Sequence, residues 1–473
     1  MFWNFLKKIY NNPAIIESES GKVITYKELN NDINDLLNCI ESDSKRLAFI
    51  YCENNYKTIV SYLALLRIGH AAVMINSELN TELKQSLIDT YHPEFIFTGN
   101  LENIEGYGIL AEIKGIVIYE RKTPLYAPKI YKELALLLST SGSTGSPKLV
   151  RLSYKNIQSN AESIAQYLSI TKHERPITSL PLHYSYGLSV INSHILKGAS
   201  IVLTKQNFVM YDFWKIFNLY KCTSFSGVPY SYQLLKKRNF ENYELPTLKT
   251  LTQAGGKLNE ELQKYFYNYA RKSKINFFVM YGQTEATARI SYVPYNTLGE
   301  NIGSIGIPIP GGEIKVYANG KDITETGNVG ELVYKGNNVM LGYADTRESL
   351  SKGDKLNGLL HTGDLGRKYK NGFFYIKGRI KRFVKIFGFR LNLDELEKML
   401  ENYTHCAVAC FGQDDNLKII IQTSDNDLID FVREKIIKTL HLNQSVLQIR
   451  ISRIIPLTSS GKRDYQRLNK LYP

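Results

Sequence analysis

The stretch "STSGSTGSPKLV", residues 139–150, leaves an apolar run, consists almost wholly of Ser, Thr and Gly, and then closes through Pro147 on Lys148. Small residues let a main chain approach an anion closely, N–H groups and hydroxyls supply donors, and a lysine neutralises charge. Leu136, Leu137 and Leu138 supply the apolar strand. Thr140, Ser141, Gly142, Ser143, Thr144, Gly145 and Lys148 supply a cradle of the kind that holds phosphate. It is not a Walker A loop, which ends Gly-Lys-Ser/Thr and opens a helix. Here Pro147 precedes Lys148, and "LVRLS" follows as a strand. A loop like this, taken alone, is as ordinary as any flexible connection, so its meaning rests on the rest of the chain.

Working outward, short β-rich runs alternate with helical patterns over the first three-fifths of the chain. Strands are expected at 47–52, 94–99, 115–120, 133–140, 199–205, 223–229, 248–256 and 275–282, and helices at 154–168 and 260–273. Such alternation argues for parallel sheets covered by helices. Around 300–345 the texture changes to Gly-punctuated short strands, which suggests a small antiparallel, barrel-like piece. From about residue 380 a compact mixed tail follows.

At 473 residues the chain fits two or three domains, and 43% hydrophobic with 22% charged residues is a globular balance. No apolar run reaches the ~20 residues of a membrane helix. The start, "MFWNFLKKIYNN", lacks the pattern of a signal peptide, so the expected location is cytoplasmic. Five cysteines are scattered; Cys406 and Cys410 flank an apolar run beside His405, with no second ligand pair at zinc-site spacing, so no zinc is expected there and reduced, buried thiols are. The 59 Lys and Arg against 45 Asp and Glu leave a formal charge of +14. The basic residues are spread out, and no nucleic-acid-binding signature accompanies them; anionic small molecules are the better match.

The loop has ordered company. "ITYKEL" (24–29) and "LALLRIGHAAVMIN" (63–76) precede it. "LPLHYSYGL" (180–188), "AGGKL" (254–258), "YGQTEA" (281–286), "GSIGIPIPG" (303–311), "GELVYKGNNVMLGY" (330–343) and "HTGDLG" (361–366) follow it. "KGRIKRFVKIFGFRLNLDELE" (377–397) and "PLTSSGK" (456–462) complete the series. In this order the motifs resemble the adenylate-forming (AMP-binding) superfamily, which includes acyl-CoA synthetases and the adenylation domains of peptide synthetases. The resemblance implies an α/β fold. Residues 1–380 would form a large N-terminal AMP-binding domain, made of two parallel α/β sheet subdomains and a small β-barrel-like one. Residues 381–473 would form a small, mobile α+β C-terminal domain carrying the catalytic lysine.

It also implies a two-step reaction: a carboxylate attacks the α-phosphate of ATP to give acyl-AMP and pyrophosphate, and a thiol then displaces AMP. By resemblance, the loop 140–148 clamps the β- and γ-phosphates, Thr284 bonds the α-phosphate and Glu285 holds Mg²⁺. Tyr281, with Gly282 next to it, matches the ring stacked on adenine, and Gly255 and Gly256 match the backbone on adenine's other side. Asp364, supported by Arg379, matches the ribose carboxylate, and Lys462 matches the catalytic lysine of adenylation. Lys381 is the expected hinge for rotation between half-reactions, and Gly388 the point where the pantetheine arm approaches.

For the acid, peptide-synthetase domains place an aspartate against the substrate ammonium, whereas "LPLHYSYGL" offers His183 and Tyr184 and no acid. An unpaired buried ammonium is costly, which disfavours an α-amino acid; either His183 or Tyr184 faces the carboxylate. The acceptor is CoA or a phosphopantetheinyl carrier protein, so an acyl carrier protein is a possible partner. Two alternatives stand beside an acyl-CoA synthetase-like ligase. One is a stand-alone enzyme loading an amino acid such as D-alanine onto a carrier; the other is a non-catalytic nucleotide-binding protein.

Overall fold

In the computed structural model the residues described are 1–473 except 41–42, 125, 140–147, 381, 387–388, 414, 441, 459–460 and 473. Thr140, Ser141, Gly142, Ser143, Thr144, Gly145, Lys381 and Gly388, all expected to serve the site, therefore lie outside the described residues. The chain divides into two compact units, Met1–Glu313 with Lys335–Leu360, and Ile314–Tyr334 with His361–Pro473.

The first unit is an α/β structure built on two large sheets. Strands Leu47–Cys52, Ala71–Asn76, Phe95–Thr98 and Leu134–Ser139 form the parallel centre of an eight-stranded sheet. Leu47–Cys52 is buried along its whole length, as a strand covered on both faces must be. Leu149–Ser153 turns back antiparallel beside Leu134–Ser139, so the phosphate-loop sequence is the link between these two strands. The short strand Gly342–Ala344 then closes that edge, pairing Gly342 with Arg151 and Tyr343 with Val150. In the second sheet Ser224–Gly227, Thr250–Gln253 and Asn276–Tyr281 run parallel, and Ser291–Val293 and Ile307–Pro308 finish it antiparallel.

Local signals explain the helices. Ser153 caps Tyr154–Tyr167 through a reciprocal box: its Oγ accepts from Asn156 N at 3.1 Å, and its N donates to Asn156 Oδ1 at 2.8 Å. Glu260–Ser273 starts at the Asn259 cap with two glutamates in its first turn and ends on Arg271 and Lys272, matching the helix dipole. These are the helices expected at 154–168 and 260–273. Two differences in detail stand out. The sheets expected to be parallel carry antiparallel edge strands. The Gly-punctuated stretch is also shared out: Ile307–Pro308 joins the second sheet and Gly342–Ala344 the first, while Gly312–Ala318 and Gly330–Gly336 belong to a five-stranded sheet that continues to Arg379.

The second unit adds to that sheet a hairpin of Phe383–Ile386 and Phe389–Asn392, and a three-stranded sheet flanked by the helices Leu393–Thr404 and Asp427–Leu440. Cys410 packs in its apolar core on the strand Val408–Gln413. Among the described residues no helix is long and apolar enough to cross a membrane, and no cluster of three metal-ligating side chains occurs.

Candidate active site

In the first unit the residues singled out from the sequence gather around the turn after Asn276–Tyr281. Gly282 must be glycine: a Cβ there would lie 2.0 Å from Ala288 O, because the chain doubles back through Thr284–Ala286. Thr287 takes a positive φ of 64° to complete the reversal. Asn338 holds the turn from the side, its Nδ2 donating to Ala286 O at 2.9 Å and Arg289 O at 2.7 Å, while Thr287 Oγ1 donates to Asn338 O at 2.7 Å. Met340 N also donates to Glu285 O at 2.9 Å. Buried Thr284 and half-buried Glu285 thus sit on a fixed backbone.

Three side chains form a chain of contacts across this surface. Lys148 Nζ stands 3.8 Å from the centre of the Tyr343 ring, and Tyr343 Oη donates to Glu285 Oε1 at 2.8 Å. The register accounts for it: Tyr343 is opposite Val150, and Lys148, two residues earlier, is its diagonal neighbour on the same face. Burial and the Glu285 carboxylate both push the Tyr343 phenol up, so it stays a donor. Glu285 Oε2 has no protein partner among the described residues, leaving a hard oxygen open for a cation such as Mg²⁺. Arg151 fixes the backbone beneath, donating from Nε to Tyr343 O at 3.2 Å and from Nη2 to Leu341 O at 3.0 Å and Gly353 O at 3.2 Å.

Residues 180–184 lead through a turn into the helix Ser185–Leu196. Gly187 is forced here too, since a Cβ would meet Pro181 O at 2.2 Å. Ser185 Oγ lies 3.3 Å from Thr284 Oγ1, which ties this helix start to the Thr284 turn. Tyr184 faces Gly255, whose φ is +86°; a Cβ there would lie 2.6 Å from Tyr184 Oη. A Cβ on Gly256 would come within 3.2 Å of Pro229 Cγ. His183 makes no hydrogen bond among the described residues, and burial lowers its pKa to about 4, so the ring is neutral near pH 7. Burial raises the Tyr184 phenol to about 12. Tyr281 ends its strand half-buried, and its carbonyl accepts from Ile290 N at 2.9 Å.

The second unit carries the remaining candidates. Asp364 is buried and pairs across strands with Arg379, whose Nε lies 2.8 Å from Asp364 Oδ1. Lys462 sits in a turn that returns on itself, with Thr458 N donating to Lys462 O at 2.7 Å. Its neighbour Arg463 anchors that turn on the helix Leu393–Thr404, with Nη1 2.8 Å from Glu397 Oε2 and a second bond to Glu401. Burial lowers the Arg463 pKa, but the facing carboxylates outweigh it and hold the guanidinium charged.

Sequence reading missed Tyr343, Asn338, Arg151 and Arg289 as working parts. Tyr343 and Asn338 belong to "GNNVMLGY", a stretch noted only as a motif. The "YGQTEA" motif as read stops three residues short of Arg289.

A match to the AMP-binding enzyme family covers residues 2–344. The 2-succinylbenzoate–CoA ligase of Bacillus subtilis (strain 168) is 29% identical over 370 residues, 77% of this chain and 74% of that protein. The long-chain-fatty-acid–CoA ligase of the same organism is 29% identical over 300 residues, 61% of this chain and about half, 51%, of the relative. Among solved structures, o-succinylbenzoate CoA synthetase from Bacillus subtilis with its acyl-adenylate intermediate superposes with a TM-score of 0.75 at 24% identity, covering 98% of this chain and 96% of that one. The same synthetase with ATP and magnesium ion gives 0.74 at 23% identity, over 97% and 96% of the two chains. With the family match spanning both large sheets and the Thr284–Glu285 turn, the chain belongs to the AMP-binding enzyme family.

Proposed function

We infer that the chain is an AMP-forming acid–thiol ligase: it joins a carboxylic acid to the α-phosphate of ATP, releases pyrophosphate, and passes the acyl group to the thiol of CoA. The observation that carries this reading is the row Lys148–Tyr343–Glu285 beside Thr284, a cation and an open carboxylate set on one rigid surface. Attack at phosphorus gathers negative charge on phosphate oxygens, and fixed donors and cations stabilise it without reorganising.

In this reading Lys148 and the loop 140–145 serve the β- and γ-phosphates and Thr284 serves the α-phosphate. Glu285 would hold Mg²⁺, which supplies charge neutralisation between phosphate oxygens. Tyr281, Gly282, Gly255 and Gly256 serve the adenine, and Asp364 with Arg379 the ribose. His183 is a neutral ring with open nitrogens, suited to bonding the carboxylate, while Tyr184 lies over Gly255. Lys462 supplies the cation of the first step. Residues 381–473 reorient about Lys381 for the second, which brings the Gly388 stretch to the pantetheine arm.

The test is to supply ATP, Mg²⁺ and a panel of acids, with CoA or a phosphopantetheinylated carrier protein. AMP and a CoA thioester in equal amounts are expected. Thioester on the carrier alone would move the acceptor, and ADP formation or acid-independent ATP cleavage would contradict the ligase reading.

A further inference from the structure

Three buried arginines of the first unit differ in how they are compensated. Arg151 spends its donors on four backbone carbonyls, and Arg347 on the Glu94 carboxylate, with Nη2 at 2.6 Å. Arg289 is 2% exposed and has one carbonyl and no carboxylate among the described residues. Its Nη1 donates to Ala288 O at 3.1 Å, and its guanidinium lies 4.0 Å from the centre of the Tyr186 ring. Its Nε is buried with no partner, and among the described residues no carboxylate stands within ion-pair distance. A buried cation held only by a ring and a carbonyl is destabilising, and such a residue persists where a ligand completes it.

Its surroundings indicate which ligand. The Tyr186 ring that carries Arg289 stands edge-on to the Tyr184 ring at 6.3 Å, and the Tyr184 hydroxyl lies over Gly255. The Tyr186 ring beneath Arg289 is pinned by its own hydroxyl, which donates to Thr252 O at 2.9 Å on Thr250–Gln253, the middle one of the three parallel strands of the second sheet. Through these two rings Arg289 neighbours the helix start at Ser185 and the Gly255 turn, where the proposed function seats the acid.

We propose that Arg289 is a specificity-determining residue, and that the acid activated here carries a second anionic group, a carboxylate, which the Arg289 guanidinium pairs with. This rests on the ligase reading and deepens it. A guanidinium and a carboxylate match in geometry and neutralise each other out of water. An amino-acid substrate would instead bring an ammonium up to a like charge, as disfavoured as the lack of an acid at His183 and Tyr184 already suggests.

The experiment compares wild type, Arg289→Met and Arg289→Lys on straight-chain diacids and matched monoacids, by acid-dependent pyrophosphate release, with Tm measured for each protein. The expected result is a diacid preference in wild type. Arg289→Met loses about 100-fold or more in kcat/KM for the diacid, keeps or gains activity on the monoacid, and melts about 1–3 °C higher for want of an uncompensated charge. Arg289→Lys keeps the sign of the preference. A wild type that prefers monoacids, or Arg289→Met losing both substrates equally with a lower Tm, would overturn the proposal and make Arg289 a packing residue. AMP binding with no pyrophosphate release from any acid would remove the ligase reading itself, and this inference with it.

Discussion

At the scale of single residues, Tyr343 connects two groups that the sequence presents far apart. Its hydroxyl orders the Glu285 carboxylate and its ring carries Lys148. Removing only the hydroxyl should loosen Glu285 and leave the cation–π contact. Tyr343→Phe is therefore expected to raise the Mg²⁺ concentration for half-maximal rate about 3- to 10-fold, with Tm shifted by little. An unchanged Mg²⁺ titration would show that Glu285 needs no such support. Residue types were legible at this scale: Thr284, Glu285, Lys148 and Asp364 could be named from motif matches. What could not be read was why some are there. Gly282 lies beside the ring expected on adenine, and Ala288 O forbids any side chain at that position for a reason the motif does not display. Arg289 and Tyr343 carry no local signal, since a buried arginine or a paired tyrosine is recognised only by what lies opposite.

At the scale of elements, the strand Gly342–Ala344 is held at the sheet edge by Arg151, whose donors reach Leu341, Tyr343, Lys352 and Gly353 carbonyls. Three residues of ladder alone make a weak edge, and desolvation already works against the charge of Arg151. Arg151→Met should cost at least about 3 kcal/mol, since several buried carbonyls lose their donors at once. Urea unfolding would measure it, and a loss below about 1 kcal/mol would contradict the clamp. The opposite sign expected for Arg289→Met separates a structural arginine from one that awaits a ligand. Strands and helices with strong alternation or caps were readable, Leu134–Ser139 and Glu260–Ser273 among them. The edge pairing was not, because a three-residue strand has no periodicity and its partner lies some 190 positions away in the sequence.

For the whole molecule, three histidines of the first unit, buried His70 and His194 and half-buried His183, each have a pKa lowered by burial to about 4. In the unfolded chain each takes up a proton near its ordinary value of about 6.5, so between about pH 6.5 and 4 the unfolded state binds more protons. Stability should therefore be full above pH 6.5 and fall by several kcal/mol as pH drops through that window. Denaturant midpoints at pH 7 and pH 5 check it; equal midpoints would mean that these rings protonate freely in the fold. At this scale the α/β class was legible from alternation. The division of the Gly-punctuated stretch among three sheets was not, since tertiary pairing, not local propensity, assigns such short strands.

The most direct measurement is ATP–pyrophosphate exchange, which reports reversible adenylation alone, for wild type and Lys462→Ala, alongside thioester formation from supplied acyl-AMP. Wild type is expected to show acid- and Mg²⁺-dependent exchange without CoA. Lys462→Ala should lose exchange by about 100-fold or more, with thioester formation from acyl-AMP largely kept. Exchange that ignores the acid, or equal loss of both steps in Lys462→Ala, would contradict this.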